Sequence, residues 1–119
     1  MSNLVPIEPA TLGPAKIGSV AQERRLEGDP VLSTWALDEA HGGLVKSGIW
    51  EATPGANRSI KGTTFEFCHI LSGVVEITED GGAMRRYTAG DSFLMKPGFT
   101  GVWRTIETVR KIYVTVTPQ

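Results

Sequence analysis

The 119-residue chain has the composition of one ordinary globular domain, with 40% hydrophobic and 21% charged residues. Its net charge is −1 and no run of Lys and Arg exceeds two residues, which argues against nucleic acid and anionic membranes as partners. The single Cys excludes an internal disulfide, and no apolar run approaches membrane-spanning length. Because the N-terminus lacks a basic segment followed by an apolar run, we expect a cytoplasmic protein.

Residues 1–30 are predicted to form an irregular N-terminal arm, and residues 31–119 a single domain. Pro and Gly interrupt the arm too often for a long helix. The best helical window within it is 14–26, where three apolar residues share one face. Residues 4–7 are a candidate edge strand, since Pro is tolerated at sheet edges.

From residue 31 onward, short apolar runs separated by Gly and Pro predict a series of strands. The predicted strands are 31–37, 44–53, 63–71, 74–79, 84–88, 92–96, 102–106 and 109–117. The polar stretch 56–62 is predicted to be a loop. Short strands at near-regular spacing with no strong helix indicate an all-β sandwich or barrel.

The strand at 64–71 has two different faces, because successive side chains of a strand point to opposite sides. One face carries Glu66, Cys68 and Ile70. The other face carries Phe65, Phe67, His69 and Leu71. Neither face is polar enough for water, so we expect both to be covered, the outer one by a second sheet, the arm or another subunit.

Glu66 is the first candidate for chemistry, since an acid within an apolar run is costly to bury without a purpose. It would serve as a metal ligand, general base or substrate anchor, and burial would raise its pKa towards neutrality. The structural alternative is an ion pair, for example with Lys111 or Arg104. His69 points to the opposite face and is expected to be a hydrogen-bonded residue outside the cavity.

Cys68 shares the face of Glu66 and is a candidate ligand contact, although a small buried hydrophobe is its simpler role. Trp50 and Trp103 are candidates to line the mouth of a pocket, with core packing as the alternative. Lys111 and Tyr113 share one face of the last strand, and such a pair could orient a carboxylate or carbonyl. Spacing alone leaves open whether that face is the inner one.

Two basic residues, Arg58 and Lys61, precede the strand that carries Glu66. They are candidates to attract an anionic substrate, but a solvated loop charge is the more ordinary role. Asp91 follows Gly90 in a tight turn and is expected to be a turn residue.

Spaced motifs in residues 31–117 resemble the cupin family. Glu66, six residues and then Gly73 match the second half of the first cupin motif, and Gly90-Asp91 followed by Lys96-Pro97-Gly98-Phe99 resembles the second. The combination Glu-Phe-x-His-Ile-Leu-x-Gly, Ala-Gly-Asp-Ser-Phe, Pro-Gly-Phe-x-Gly-x-Trp and Arg-Lys-x-Tyr-Val is similar to a narrower group. These are the small single-domain cupins related to ureidoglycine aminohydrolase, a family of unknown function.

The resemblance implies a double-stranded β-helix, or jelly-roll barrel, with the site inside it and with chains paired into homodimers. It also implies a divalent metal as the usual cofactor, held by two His and a Glu from the first motif and a His from the second. Here Ser59-Ile60-Lys61-Gly62 stands where His-x-His is expected, and about Gly101 stands where the last His is expected. Glu66 is the one ligand of the pattern that remains.

Two functions follow as hypotheses. The first is a cupin that binds a small polar metabolite around Glu66 and processes it as a metal-dependent, aminohydrolase-like enzyme. The second is a non-catalytic cupin that binds a small ligand or assembles with a partner, without a complete metal site.

Overall fold

The computed structural model describes residues 2–118, and nine strands form its framework. The strands are Lys16–Ser19 (β1), Arg25–Glu27 (β2), Val31–Ala40 (β3), Val45–Ala52 (β4), Gly55–Ile60 (β5), Phe65–Glu79 (β6), Met84–Thr88 (β7), Ser92–Met95 (β8) and Thr100–Val116 (β9). Three single turns of 3₁₀ helix lie at Pro9–Thr11, Gln22–Arg24 and His41–Gly43. No helix within residues 2–118 is long and apolar enough to cross a membrane.

The two longest strands, β6 and β9, run through both halves of an antiparallel jelly-roll barrel. The first part of β6 pairs with β8 and with the end of β9, which continues the sheet through β4 and β3 to β1. The second part of β6 pairs with β7 and with the start of β9, which continues through β5 to β2. The predicted all-β jelly-roll barrel is therefore confirmed.

The bend that carries β6 from one half to the other lies at Ser72-Gly73. The register against β9 shifts repeatedly between Ile70 and Val75. Gly73 has φ +88°, and a Cβ at this position would collide with the carbonyl oxygen of Thr108. The sequence signal at Ser72-Gly73 therefore marks a bulge within one strand, and the prediction of two separate strands was wrong. The predicted break between 106 and 109 is likewise absent, because β9 is continuous.

The N-terminal arm is part of the sheet. The predicted helical window at 14–26 was wrong, since β1 pairs with β3 and β2 pairs with β5 in this region. Residues 4–7, the candidate edge strand, form no strand, and most of the stretch predicted as a polar loop at 56–62 belongs to β5. The division of the chain at residue 30 into arm and domain stays a prediction.

Alternate residues of β6 point into the barrel, as the pattern predicts. Glu66, Cys68 and Ile70 are buried, whereas the residues between them are half-buried. The apolar core continues from this face into both halves and consists of Ala52, Cys68, Ile70, Val75, Ile77, Met95, Trp103 and Val109. Glu66 lies at one end of this core, so it is held by a rigid, packed strand.

Candidate functional site

A cavity of about 650 Å³ opens inside the barrel beside the end of β6 that carries Glu66. Strands β3, β4, β5, β6 and β9 contribute to its walls, and Val20 and Arg24 of the arm close one side. Its lining includes the candidate residues Trp50, Lys61, Glu66, Trp103 and Lys111. A cavity of this size holds a small metabolite.

Glu66 lies between two ammonium groups. Lys61 Nζ donates to Glu66 Oε1 at 2.5 Å, and Lys111 Nζ donates to Glu66 Oε2 at 2.7 Å. Glu66 and Lys111 are each only 5% exposed. Both carboxylate oxygens therefore have a charged partner, which is the condition under which a buried charge is tolerated.

These partners reverse the direction expected for the Glu66 pKa. Burial alone would raise the pKa, but the charges and hydrogen bonds of Lys111 and Lys61 outweigh it and lower the pKa to about 2. The expectation of a pKa near neutrality was wrong because it weighed burial without these two lysines. At physiological pH Glu66 is therefore an ionised carboxylate and a weak base.

Lys111 is enclosed by two indole rings as well as by Glu66. Its Nζ lies 4.4 Å from the centre of the Trp50 ring and 4.5 Å from that of Trp103, and the two rings meet edge to face. Burial opposes the charge of Lys111, yet the Glu66 carboxylate holds its pKa above the ordinary value. Lys111 is therefore a permanently charged group at the cavity wall.

Cys68 contacts this ion pair from the core side and does not line the cavity. Its thiol donates to Glu66 Oε2 at 3.3 Å, and its sulfur lies 3.6 Å from Lys111 Nζ. Burial raises the pKa of the thiol to about 12, so Cys68 is a neutral thiol at physiological pH. Its place beneath the pair suits a packing role, and its assignment as a ligand contact stays a prediction.

The side chains of Lys111, Tyr113 and Thr115 all line the cavity, which settles the question of which face of the last strand points inward. Burial and the nearby Glu66 carboxylate raise the pKa of Tyr113 above its ordinary value, so its hydroxyl is protonated. Trp50, Glu66, Trp103, Lys111 and Tyr113 are thus brought together, although their roles stay predictions.

Lys61 is the site residue that the sequence reasoning undervalued. A solvated loop charge is its more ordinary role, but the Lys61 side chain is only 17% exposed and reaches Glu66. The available signal was its position, since Lys61 stands in the segment where the family places metal ligands. Arg58, by contrast, faces the cavity only in part and binds Asp80 through two hydrogen bonds.

Three other candidates lie away from this cluster. Arg104, the alternative partner for Glu66, pairs instead with Glu27 of the arm. His69 Nδ1 and Ser92 Oγ are 2.7 Å apart on the outer side of β6, as expected for a hydrogen-bonded residue. Asp91 accepts a hydrogen bond from the backbone of Thr88, in keeping with a turn residue.

The donor set does not fit the metal site that the resemblance implies. Residues 2–118 contain no group of three His, Cys, Asp or Glu side chains that could hold an ion. Lys61 Nζ contacts the carboxylate that would be the remaining ligand. At Gly101 a Cβ would collide with the carbonyl oxygen of Thr78, so a His has no room there.

Comparison with solved structures supports the same fold. A protein of unknown function of the DUF861 family from Pseudomonas syringae pv. tomato is similar over 88% of this chain, with a TM-score of 0.79 and 20% identity. This chain covers 45% of that protein, so it spans less than half of its length. The EutQ protein of Clostridium difficile is similar over 82% of this chain and 79% of its own, with a TM-score of 0.63 and 19% identity.

Further comparisons bear on the family. A DUF861 family protein from Thermotoga maritima is 34% identical over 55% of this chain and 73% of its own, with a TM-score of 0.52. No match is found among curated proteins. The model of the EutQ-like cupin domain matches residues 39–113, which is more than half of the sequence and includes most of the cavity wall. The chain therefore belongs to the EutQ-like cupin domain family.

Proposed function

We propose that this cupin binds a small polar metabolite in its barrel cavity, at the cluster of Glu66, Lys61 and Lys111 and without a resident metal ion. The observation that carries the proposal is the pairing of Glu66 with both Lys61 and Lys111 at the wall of an open cavity. A purely structural barrel would gain as much from apolar residues at these positions, since buried ion pairs contribute little net stability.

The aromatic residues support a binding role. Trp50 is half-buried and forms cavity wall, with its ring face on the Lys111 ammonium group. The hydroxyl of Tyr113 and the outer side of Lys61 provide polar groups at the same wall. A few polar groups in an otherwise aromatic and apolar cavity are typical of small-molecule sites.

The aminohydrolase-like hypothesis loses its main support at this site. Hydrolysis of that kind relies on a metal-activated water, and the donor set here does not fit such a metal. Glu66, with a pKa of about 2, is also a poor general base at neutral pH. Ligand binding, with or without a slower chemical step, is the function that these groups support best.

Metal content and ligand response together test the proposal. Metal analysis of the purified protein is expected to give far less than one Mn, Fe, Zn or Ni per chain, and the same for Glu66→Ala. A thermal-shift screen of small polar metabolites should then yield ligands that raise the Tm, because binding to the native state stabilises it. The response should be altered in Glu66→Gln, which changes the charge of the site, and kept in Lys46→Gln, which changes an exposed lysine of β4.

Two results would contradict the proposal. One is stoichiometric metal in the wild type that is lost in Glu66→Ala, which would restore the hydrolase hypothesis. The other is a set of ligands whose effect on the Tm is the same in Glu66→Gln, which would place their site elsewhere.

We also propose that the chain forms a homodimer through the outer face of β6. Phe67 lies on this face between Leu94 of β8 and Val114 of β9, and Leu94 is 57% exposed. Sedimentation equilibrium should give twice the chain mass, and Leu94→Asp should give a folded monomer. A wild-type monomer at high concentration would contradict this pairing.

A further inference from the structure

The charges around the cavity do not balance, and this imbalance points to the class of ligand. Four cationic side chains and two carboxylates line the cavity; they are Arg24, Arg58, Lys61 and Lys111, with Glu23 and Glu66. Arg58 is neutralised from outside the cavity by the two oxygens of Asp80. On the arm, Arg24 and Glu23 carry opposite charges and offset each other at the rim.

The remaining set is Lys61, Lys111 and Glu66, in which two ammonium groups share one carboxylate. Lys111 is fully enclosed, since its ammonium group contacts Glu66, Cys68 and two indole rings. Lys61 is the more accessible of the two, because it uses one hydrogen bond on Glu66 and its side chain is 17% exposed. An ammonium group has three donors, so Lys61 retains donors that can face the cavity.

From this geometry we propose that the cavity selects a small organic monoanion, such as a carboxylate, whose charge is met by Lys61. The inference rests on the proposed function, because it names the chemical class of the same ligand. The anion restores the balance of one positive charge for each negative charge in a site with low exposure to water. The hydroxyls of Tyr113 and Ser59, which line the same cavity, offer hydrogen bonds to the second oxygen of a carboxylate.

A cationic or neutral ligand fits the same set less well. A cation would add to an existing excess of positive charge, and like charges in a shielded cavity repel strongly. A neutral ligand would leave the excess in place. The arrangement also differs from the metal site of the family pattern, since it attracts anions at the position where carboxylate and imidazole ligands would attract a cation.

Quenching of tryptophan fluorescence tests the charge preference without knowledge of the natural ligand. Trp50 and Trp103 line the cavity and Trp35 does not, so a Trp35→Phe background restricts the emission to the cavity. Iodide, caesium and acrylamide are used as anionic, cationic and neutral quenchers at constant ionic strength. Each quenching constant is divided by its value for N-acetyltryptophanamide, which removes the intrinsic efficiency of the quencher.

The expected result is a normalised preference for iodide over caesium of roughly tenfold, as a positively charged cleft concentrates anions. Lys61→Met should reduce the preference to about onefold while acrylamide quenching stays unchanged. Glu66→Gln should increase it, because it removes the compensating carboxylate. Lys46→Met, which removes one exposed positive charge away from the cavity, is the matched control and should have no effect. If Glu66→Gln does not fold, Lys61→Met and Lys46→Met carry the test.

The outcomes separate this inference from the function on which it rests. Equal quenching by iodide and caesium, with efficient quenching by acrylamide, would overturn the anion preference and leave an open binding cavity in place. A preference that persists in Lys61→Met would also overturn it, because the charge would then lie elsewhere. Failure of acrylamide to reach the tryptophans would show a closed cavity and contradict both.

Benzoate that relieves iodide quenching where benzamide does not would extend the preference to a carboxylate.

Discussion

Two ion pairs whose carboxylates lie on the same strand, β6, differ in how much water reaches them. In the Glu66–Lys111 pair both side chains are less than 10% exposed, whereas Arg86 of the Glu76–Arg86 pair is 57% exposed. Their N–O distances are almost equal, at 2.7 and 2.6 Å. Distance alone therefore does not distinguish the two pairs. The difference lies in the water lost when the charges are buried, and this loss makes the inner pair sensitive to any change in its partners.

The largest effect is expected from removal of one buried partner. Lys111→Met leaves Glu66 buried with Lys61 as its only cation, and breaking a buried pair in this way costs about 3–5 kcal/mol. Urea denaturation should show this as a lower midpoint with an unchanged m-value. Lys46→Met, which changes an exposed lysine of β4, is the control and should change the free energy of unfolding by no more than about 0.5 kcal/mol.

The corresponding double variant sharpens this expectation. In Glu66→Leu/Lys111→Met neither charge is buried, and Lys61 can turn towards water because its side chain is already partly exposed. The double variant should therefore be more stable than Lys111→Met alone. Additive losses in the two single variants would show that the residues act independently.

The second effect is a loss of stability in acid. The Glu66 pKa is about 2 in the folded chain against an ordinary value of 4.5, and this gap corresponds to roughly 3 kcal/mol. Because the folded pKa is the lower one, the stabilisation is complete well above pH 4.5 and is lost as the pH falls through the folded pKa. Urea denaturation at pH 6 and pH 2.5 should show most of this loss in the wild type.

Glu66→Gln should be less stable at pH 6 and should lack this part of the acid dependence. Asp80, whose pKa is also lowered to about 2 by Arg58 and Thr100, contributes a second titration. The Asp80→Asn background removes it and isolates Glu66. An unchanged acid dependence in Glu66→Gln/Asp80→Asn would show that other carboxyl groups control the acid response.

The inner position of Glu66 could be predicted from the sequence, but its charge environment could not. Alternation along 64–71 places Glu66, Cys68 and Ile70 on the buried face, because a strand has a period of two. The contact of Lys61 with Glu66 was not predicted, because a lysine beside Gly62 in a polar stretch has the composition of a solvated loop. Only the three-dimensional pairing shows that its ammonium group reaches Glu66.

The errors in the predicted strand boundaries have a common cause. The stretch 56–62 is polar because Asn57, Arg58 and Ser59 line the cavity, so a strand had the composition of a loop. Gly73 had the signature of a strand end because β6 bends there, where the carbonyl group of Thr108 in β9 lies close to its backbone. In both places local composition reflects the cavity or the bend of the barrel, and backbone pairing between distant segments determines the secondary structure.

The smallest effect is expected at the outer pair of β6. Arg86 donates two hydrogen bonds to Glu76 Oε2, yet water reaches the guanidinium group freely, so Arg86→Met should cost only about 0.5 kcal/mol. Urea denaturation at 0.05 and 0.5 M NaCl should also show that salt removes most of this difference, because exposed charges are screened. A cost for Arg86→Met near that of Lys111→Met, unaffected by salt, would contradict the comparison, since exposure to water would then not be what separates the two pairs.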